Sequence, residues 1–103
     1  MTKQRKRQGA VEILHRRYVT GDPEREAALE IERVNAEVAQ LVYDARTEAK
    51  LSQTELARLI GTSQSVISRL EDADYQGHSL TMLARIASAL DRRLAVSMIE
   101  PDT

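Results

Sequence analysis

The 103-residue sequence has no cysteine, tryptophan or phenylalanine, three tyrosines and two histidines. Without cysteine there are no disulfides to staple a small fold and no thiolate metal ligands. His15 and His78 stand far apart, so a metal site would need carboxylates as most of its ligands, and neither a metal nor another cofactor is expected. Tyr18, Tyr43 and Tyr75 fall in different segments, leaving no aromatic platform on which single-stranded RNA bases stack. No apolar run approaches the roughly 20 residues of a membrane span, and the basic N-terminus lacks the apolar stretch of a secretory signal. A cytoplasmic location with no membrane partner is the default. No Ser/His/Asp grouping, glycine-rich phosphate loop or paired catalytic carboxylate motif occurs, so an enzyme is not expected.

What is present is charge, and it is segregated. The formal net charge is only −1, with 15 Lys/Arg against 16 Asp/Glu. Residues 1–20 carry six basic residues against Glu12, a net +5; residues 21–50 carry four basic against eight acidic, a net −4; the remainder carries five against seven, a net −2. A total near zero therefore hides segments suited to different partners.

Three regions follow from composition and periodicity. Residues 1–21 form a basic, partly disordered segment, too polar at 1–9 to offset its ordering entropy. It includes a short amphipathic stretch, Ala10 to Val19, with Val11, Leu14 and Tyr18 at helical spacing and Ile13 beside them. Asp22 followed by Pro23 is a helix start, and residues 22–37 form the first part of a long helix. Ala27, Ile31, Val34, Val38, Leu41 and Ala45 recur along it at steps of three and four, through to about Ala49. A pattern this long can supercoil with a second helix, bend, or break near its middle. Residues 38–103 form the third region. Here a capping box at Ser52 and Glu55 starts a helix to Ile60, and Thr62 or Ser63 caps a second helix to about Asp72. After a loop, Ser79 caps a third with Leu80, Leu83, Ala87 and Leu90 facing inward. Leu94, Val96 and Met98 then alternate with Arg93, Ala95 and Ser97, the period of a half-buried strand. A lone strand leaves its backbone bonds unmade, so this one is expected to pair across a homodimer. The alternative is a tail that packs an apolar edge onto the last helix.

The two short helices flanking Gly61 carry the functional argument. Leu56, Ala57, Ile60, Ile67 and Leu70 take the inward offsets that a tight two-helix crossing requires, and Gly61 takes the turn. Periodicity then leaves Ser63, Gln64, Ser65, Ser68 and Arg69 outward, all able to hydrogen-bond, which is what reading a major groove requires. These residues sit in Leu51-Ser52-Gln53-Thr54-Glu55-Leu56-Ala57 and Gly61-Thr62-Ser63-Gln64-Ser65-Val66-Ile67-Ser68-Arg69-Leu70-Glu71, which resemble the Xre/Cro-like helix-turn-helix family. The resemblance runs from about Val38 to Leu90. It implies an all-α, lambda-repressor-like bundle, here with the long N-terminal helix and the C-terminal strand. It implies that Gln64 reads a base edge, that Ser63, Ser65, Ser68 and Arg69 contact neighbouring bases or phosphates, and that Gln53 and Thr54 hold backbone phosphate. Arg69 has an equal alternative as an ion-pair partner of Glu71 or Asp72. The chain departs from the family at Lys50 and Asp91, where glycine usually ends a helix, and at Thr62, usually aliphatic.

With its N-terminal extension, the chain resembles HigA-type antitoxins. That resemblance implies neutralisation of a RelE/HigB-like ribonuclease toxin and repression of its own operon through an inverted-repeat operator in double-stranded DNA. The candidate toxin contacts are Val11, Ile13, Leu14, Tyr18, Ala27, Ile31 and Val34; the candidate dimer contacts are Leu94, Val96 and Met98. The acidic run Glu24, Glu26, Glu30, Glu32 and Glu37 suits a basic toxin, or is a solvated helix face. The basic N-terminus would track phosphate or become ordered beside the toxin. A stand-alone repressor and a protein-binding cofactor are the alternatives.

Overall fold

In the computed structural model, which describes residues 22–101, helix α1 begins where Asp22 precedes Pro23 and spans Pro23–Glu48 without interruption. The Asp22 carboxylate accepts from the N–H of Glu24 at 3.0 Å, and its carbonyl from Glu26 at 3.0 Å, at a position where proline has no N–H to lose. Of the three outcomes open for so long a pattern, a break is therefore not the one adopted. The short helix expected at 10–19 lies outside the described residues.

Three shorter helices follow: α2, Gln53–Ile60; α3, Gln64–Leu70; and α4, Leu80–Ala89. Each starts on a serine whose hydroxyl accepts from a first-turn N–H: Ser52 from Glu55, Ser63 from Val66, Ser79 from Met82. Ser52 also donates its own N–H to Glu55 Oε1 at 2.7 Å, closing the capping box, and that backbone donation holds the Glu55 carboxyl below the usual carboxylate range.

Helices α1, α2 and α4 end alike. The N–H groups of Leu51, Thr62 and Arg92 reach back to the carbonyls of Arg46, Ala57 and Ala87 at 3.2, 2.9 and 2.7 Å. Those of Lys50, Gly61 and Asp91 reach Thr47, Arg58 and Ser88 at 2.9, 3.4 and 3.1 Å. This Schellman pairing places the middle residue in the left-handed region, with φ of 62°, 74° and 59° at Lys50, Gly61 and Asp91. Only one of the three is glycine.

The chain divides after Val34, within α1, and the core belongs to the unit from Asn35 onward. Leu56 and Ile67 are fully buried at its centre, surrounded by Val42, Ala57, Ile60, Leu70, Leu83 and Ile86, with Leu90 and Leu94 against its edge. The side chain of Arg85 donates to the carbonyl of Ile60, tying α4 to the end of α2.

Three expectations need correction. First, α1 does not bury its apolar stripe as read: Ala39, Val42 and Arg46 are buried, while Leu41 is exposed and Ala45 only half-buried. The inward face is rotated toward Arg46 because that side chain has a buried partner, described below. Second, α4 buries Leu83 and Ile86 and leaves Leu80 exposed, since Leu80 opens the helix beyond the rim of the core. Third, no strand occurs among the described residues, and 92–101 has no regular structure. Leu94, Val96 and Met98 do not share an environment: Leu94 packs on the core, whereas Val96, Met98 and Ile99 are exposed, Met98 completely. With nothing to take its ladder bonds the tail stays irregular, and there is no strand to pair across a dimer.

The non-glycine helix ends generate a stability prediction. A side chain at a left-handed φ costs about 1–2 kcal/mol, partly offset by glycine's greater freedom when unfolded. Lys50→Gly is expected to stabilise the protein by about 1 kcal/mol, read as a higher urea midpoint at unchanged slope, and Gly61→Ala to destabilise it by a similar amount.

Candidate nucleic-acid interface

Helices α2 and α3 pack through Leu56, Ala57 and Ile60 on one and Ile67 and Leu70 on the other, all buried. That packing turns Gln64, Ser65, Ser68 and Arg69 to solvent along one exposed surface of α3, with Ser63 at its start and Thr54 exposed in the first turn of α2. Ser63 already has partners: its Oγ accepts from the Val66 N–H at 3.3 Å and lies 3.1 Å from the Ser65 hydroxyl. It is first of all a cap.

Beneath this surface is a chain of polar contacts. Arg46 makes a two-pronged pair with Glu71, Nε to Oε2 at 2.6 Å and Nη2 to Oε1 at 2.9 Å, and donates from Nη1 to the Leu51 carbonyl at 2.8 Å. The Arg46 and Glu71 side chains are only 10% and 5% exposed. The hydrogen bonds to Glu71 hold the Arg46 guanidinium above its usual pKa, and the group also lies 5.3 Å from the centroid of the Tyr43 ring.

From Glu71 the chain runs outward. Gln53 Nε2 donates to Glu71 Oε1 at 3.0 Å, which orients the amide so that its Oε1 faces α3 and accepts from Gln64 Nε2 at 2.6 Å. Gln64 thus uses one N–H internally and retains the other, together with its carbonyl oxygen. A donor and an acceptor side by side on one planar amide match N7 and N6 of adenine in the major groove. Gln53 is half-buried and bonded at both ends, so its side chain acts on Gln64.

Glu71 is taken by Arg46, and among the described residues Arg69 makes no ion pair with Glu71 or Asp72; it is exposed at the end of α3. His78 sits at the core edge, its Nε2 donating to the Leu70 carbonyl at 2.7 Å.

Arg46 and Glu71 are the residues the sequence reading missed as a pair. The available signal was a charge on the buried side of α1, one turn past Val42, facing a glutamate at the end of the recognition segment. Of the candidate partner-binding residues, Ala27, Ile31 and Val34 are exposed on α1, and Val11, Ile13, Leu14 and Tyr18 lie outside the described residues. Among the described residues no three His, Asp or Glu side chains are grouped to hold a metal ion, and no helix is long and apolar enough to cross a membrane.

Two short helices at this crossing, with capped starts and a polar outer face on the second, define a helix-turn-helix domain. The chain matches the family model described as Helix-turn-helix over residues 42–96, more than half its length, and it belongs to that family, in its Xre and lambda-repressor-like form. Its class is that of DNA-binding transcription regulators. No curated protein compared with it matches.

Removing one member of a buried ion pair leaves the other charge uncompensated, a loss of about 3–5 kcal/mol, whereas replacing both with apolar residues is often close to neutral. Arg46→Met is expected to destabilise by that amount, and Arg46→Met with Glu71→Leu to recover most of it, measured by denaturant unfolding.

Proposed function

We propose that this helix-turn-helix protein is an antitoxin that binds a RelE/HigB-like ribonuclease toxin and represses its own operon. The observation that carries the reading is the first half of α1, which the DNA-binding domain does not use. Ile31 and Val34, three residues apart on one side of the helix, are 58% and 41% exposed there, and the residues of α1 that are buried begin at Ala39. Exposed apolar residues on a helix that extends beyond its own core mark a binding surface. Residues 23–37 carry five glutamates against two arginines, a net −3, which is complementary to a basic, RNA-binding partner.

In this account Gln64 is the leading base-reading residue. Ser65, Ser68 and Arg69 contact neighbouring bases or phosphates, and Thr54 meets the phosphate backbone at the start of α2. Ser63 and Gln53 contribute through the geometry of Gln64 and the helix start as well as by contact. Residues 42–96 hold seven Lys/Arg against seven Asp/Glu, so base contacts carry more of the affinity than in a strongly basic domain. A homodimer would set two α3 helices about 34 Å apart on an inverted repeat. Val96 and Met98 are the tail residues available for dimer contact, Leu94 being engaged with the protomer's own core.

Two outcomes are expected. Co-expressed with its operon neighbour, the tagged protein retains a small basic protein, and the complex binds upstream DNA with an affinity that falls between low and moderate salt. DNA binding with no retained partner would instead make the protein a stand-alone repressor, and partner binding without DNA affinity a protein-binding cofactor. Gln64→Ala is expected to weaken specific binding by about 1–3 kcal/mol and to relax the preference at one base position, measured by competition between operator variants.

A further inference from the structure

We infer, on the reading of Gln64 as the base-reading residue, that methylation of adenine at N6 switches this interface off: Gln64 holds an operator adenine whose N6 amine is bare and rejects one that is methylated. The direction in which the Gln64 amide is held carries this. A carboxylate has no hydrogen to give, so the Gln53 side chain must present its N–H to Glu71. Its oxygen then faces Gln64, which must in turn present an N–H, at 2.6 Å. Turning the Gln64 amide over would bring two acceptor oxygens together. Arg46 grips both oxygens of the Glu71 carboxylate, so the polarity of the whole chain of contacts is set from a buried charge.

The exposed Gln64 amide has its carbonyl oxygen and one N–H left for DNA. Against adenine, that N–H meets N7, and the oxygen needs the N6 hydrogen that points into the major groove. Pairing with thymine uses the other N6 hydrogen. In an N6-methyladenine that stays paired, the methyl group therefore stands where the groove-facing hydrogen was, and the Gln64 oxygen meets carbon. A glutamine free to turn would swing its oxygen aside and keep the N7 contact. Here that rotation costs the bond to Gln53 and leaves the Gln53 oxygen without its donor. The exposed residues of α3 are Gln64, Ser65, Ser68 and Arg69, none of them an apolar side chain that would receive the methyl instead.

The test uses the full chain and synthetic duplexes of the upstream sequence that it protects from nuclease. Competition between operator variants, for the unsubstituted protein and for Gln64→Ala, locates the A·T pair whose preference the substitution relaxes. N6-methylation of that adenine is expected to weaken binding by the unsubstituted protein about tenfold or more, the worth of one two-pronged base contact. Gln64→Ala is expected to bind the methylated and bare duplexes within about twofold of each other. Equal affinity of the unsubstituted protein for the two duplexes overturns the inference and leaves the base reading standing. An equal loss with and without Gln64 also overturns it, since the methyl group then acts on the duplex or on another residue. If Gln64→Ala relaxes no position, or one that is not an A·T pair, the base reading itself has failed and the inference falls with it.

Discussion

The arrangement of polar side chains on the outer face of α3 depends on the ion pair between Arg46 and Glu71. Nearly dry on both sides, it joins the last turn of α1 to the end of α3 across 25 residues of sequence. A buried pair of this kind adds little net stability over an apolar substitute, but it is directional in a way that apolar packing is not. Glu71 Oε1 accepts from both Arg46 and Gln53, the Gln53 oxygen accepts from Gln64, and the Arg46 guanidinium also donates to the Leu51 carbonyl at the turn. One buried charge thereby sets an amide orientation at the surface and helps fix where α2 begins.

The helix ends serve the same purpose by a different route. Serine caps at Ser52, Ser63 and Ser79 and three Schellman ends fix the lengths of α2 and α4 and the start of α3, so the turn at Gly61 allows little slack between the two crossing helices. Lys50 and Asp91 accept left-handed backbone without being glycine, a local cost borne because Leu51 and Arg92 must turn back at those points. The Arg92–Glu48 pair, 2.8 Å apart at the surface, links the end of α1 to the turn that follows α4.

Much of this was legible in the sequence because it rests on local rules. The Asp22–Pro23 start, the serine caps, the glycine turn and the inward offsets of Leu56, Ala57, Ile60, Ile67 and Leu70 each need only neighbouring residues to be read. The rest needed tertiary information. The stripe through Leu41 and Ala45 was the natural inward face of α1 by periodicity, yet the helix is turned so that Arg46 meets Glu71, a contact that no spacing within α1 announces. The alternation of Leu94, Val96 and Met98 satisfied a strand pattern, but a strand needs a neighbour, and only Leu94 finds a surface to cover. Outward positions on α3 were readable; that Gln53 orients Gln64 was not, because it depends on where Glu71 points.

The buried pair reaches the exposed Gln64 amide through Gln53. The most direct test is a double-mutant cycle on specific DNA affinity, with Arg46→Met/Glu71→Leu as one change and Gln64→Ala as the other, at a temperature where all variants remain folded. The account predicts coupling of about 0.5–3 kcal/mol, with the Gln64 substitution costing much less once the pair is gone. Additive losses would contradict it, leaving the pair as a device of the fold alone.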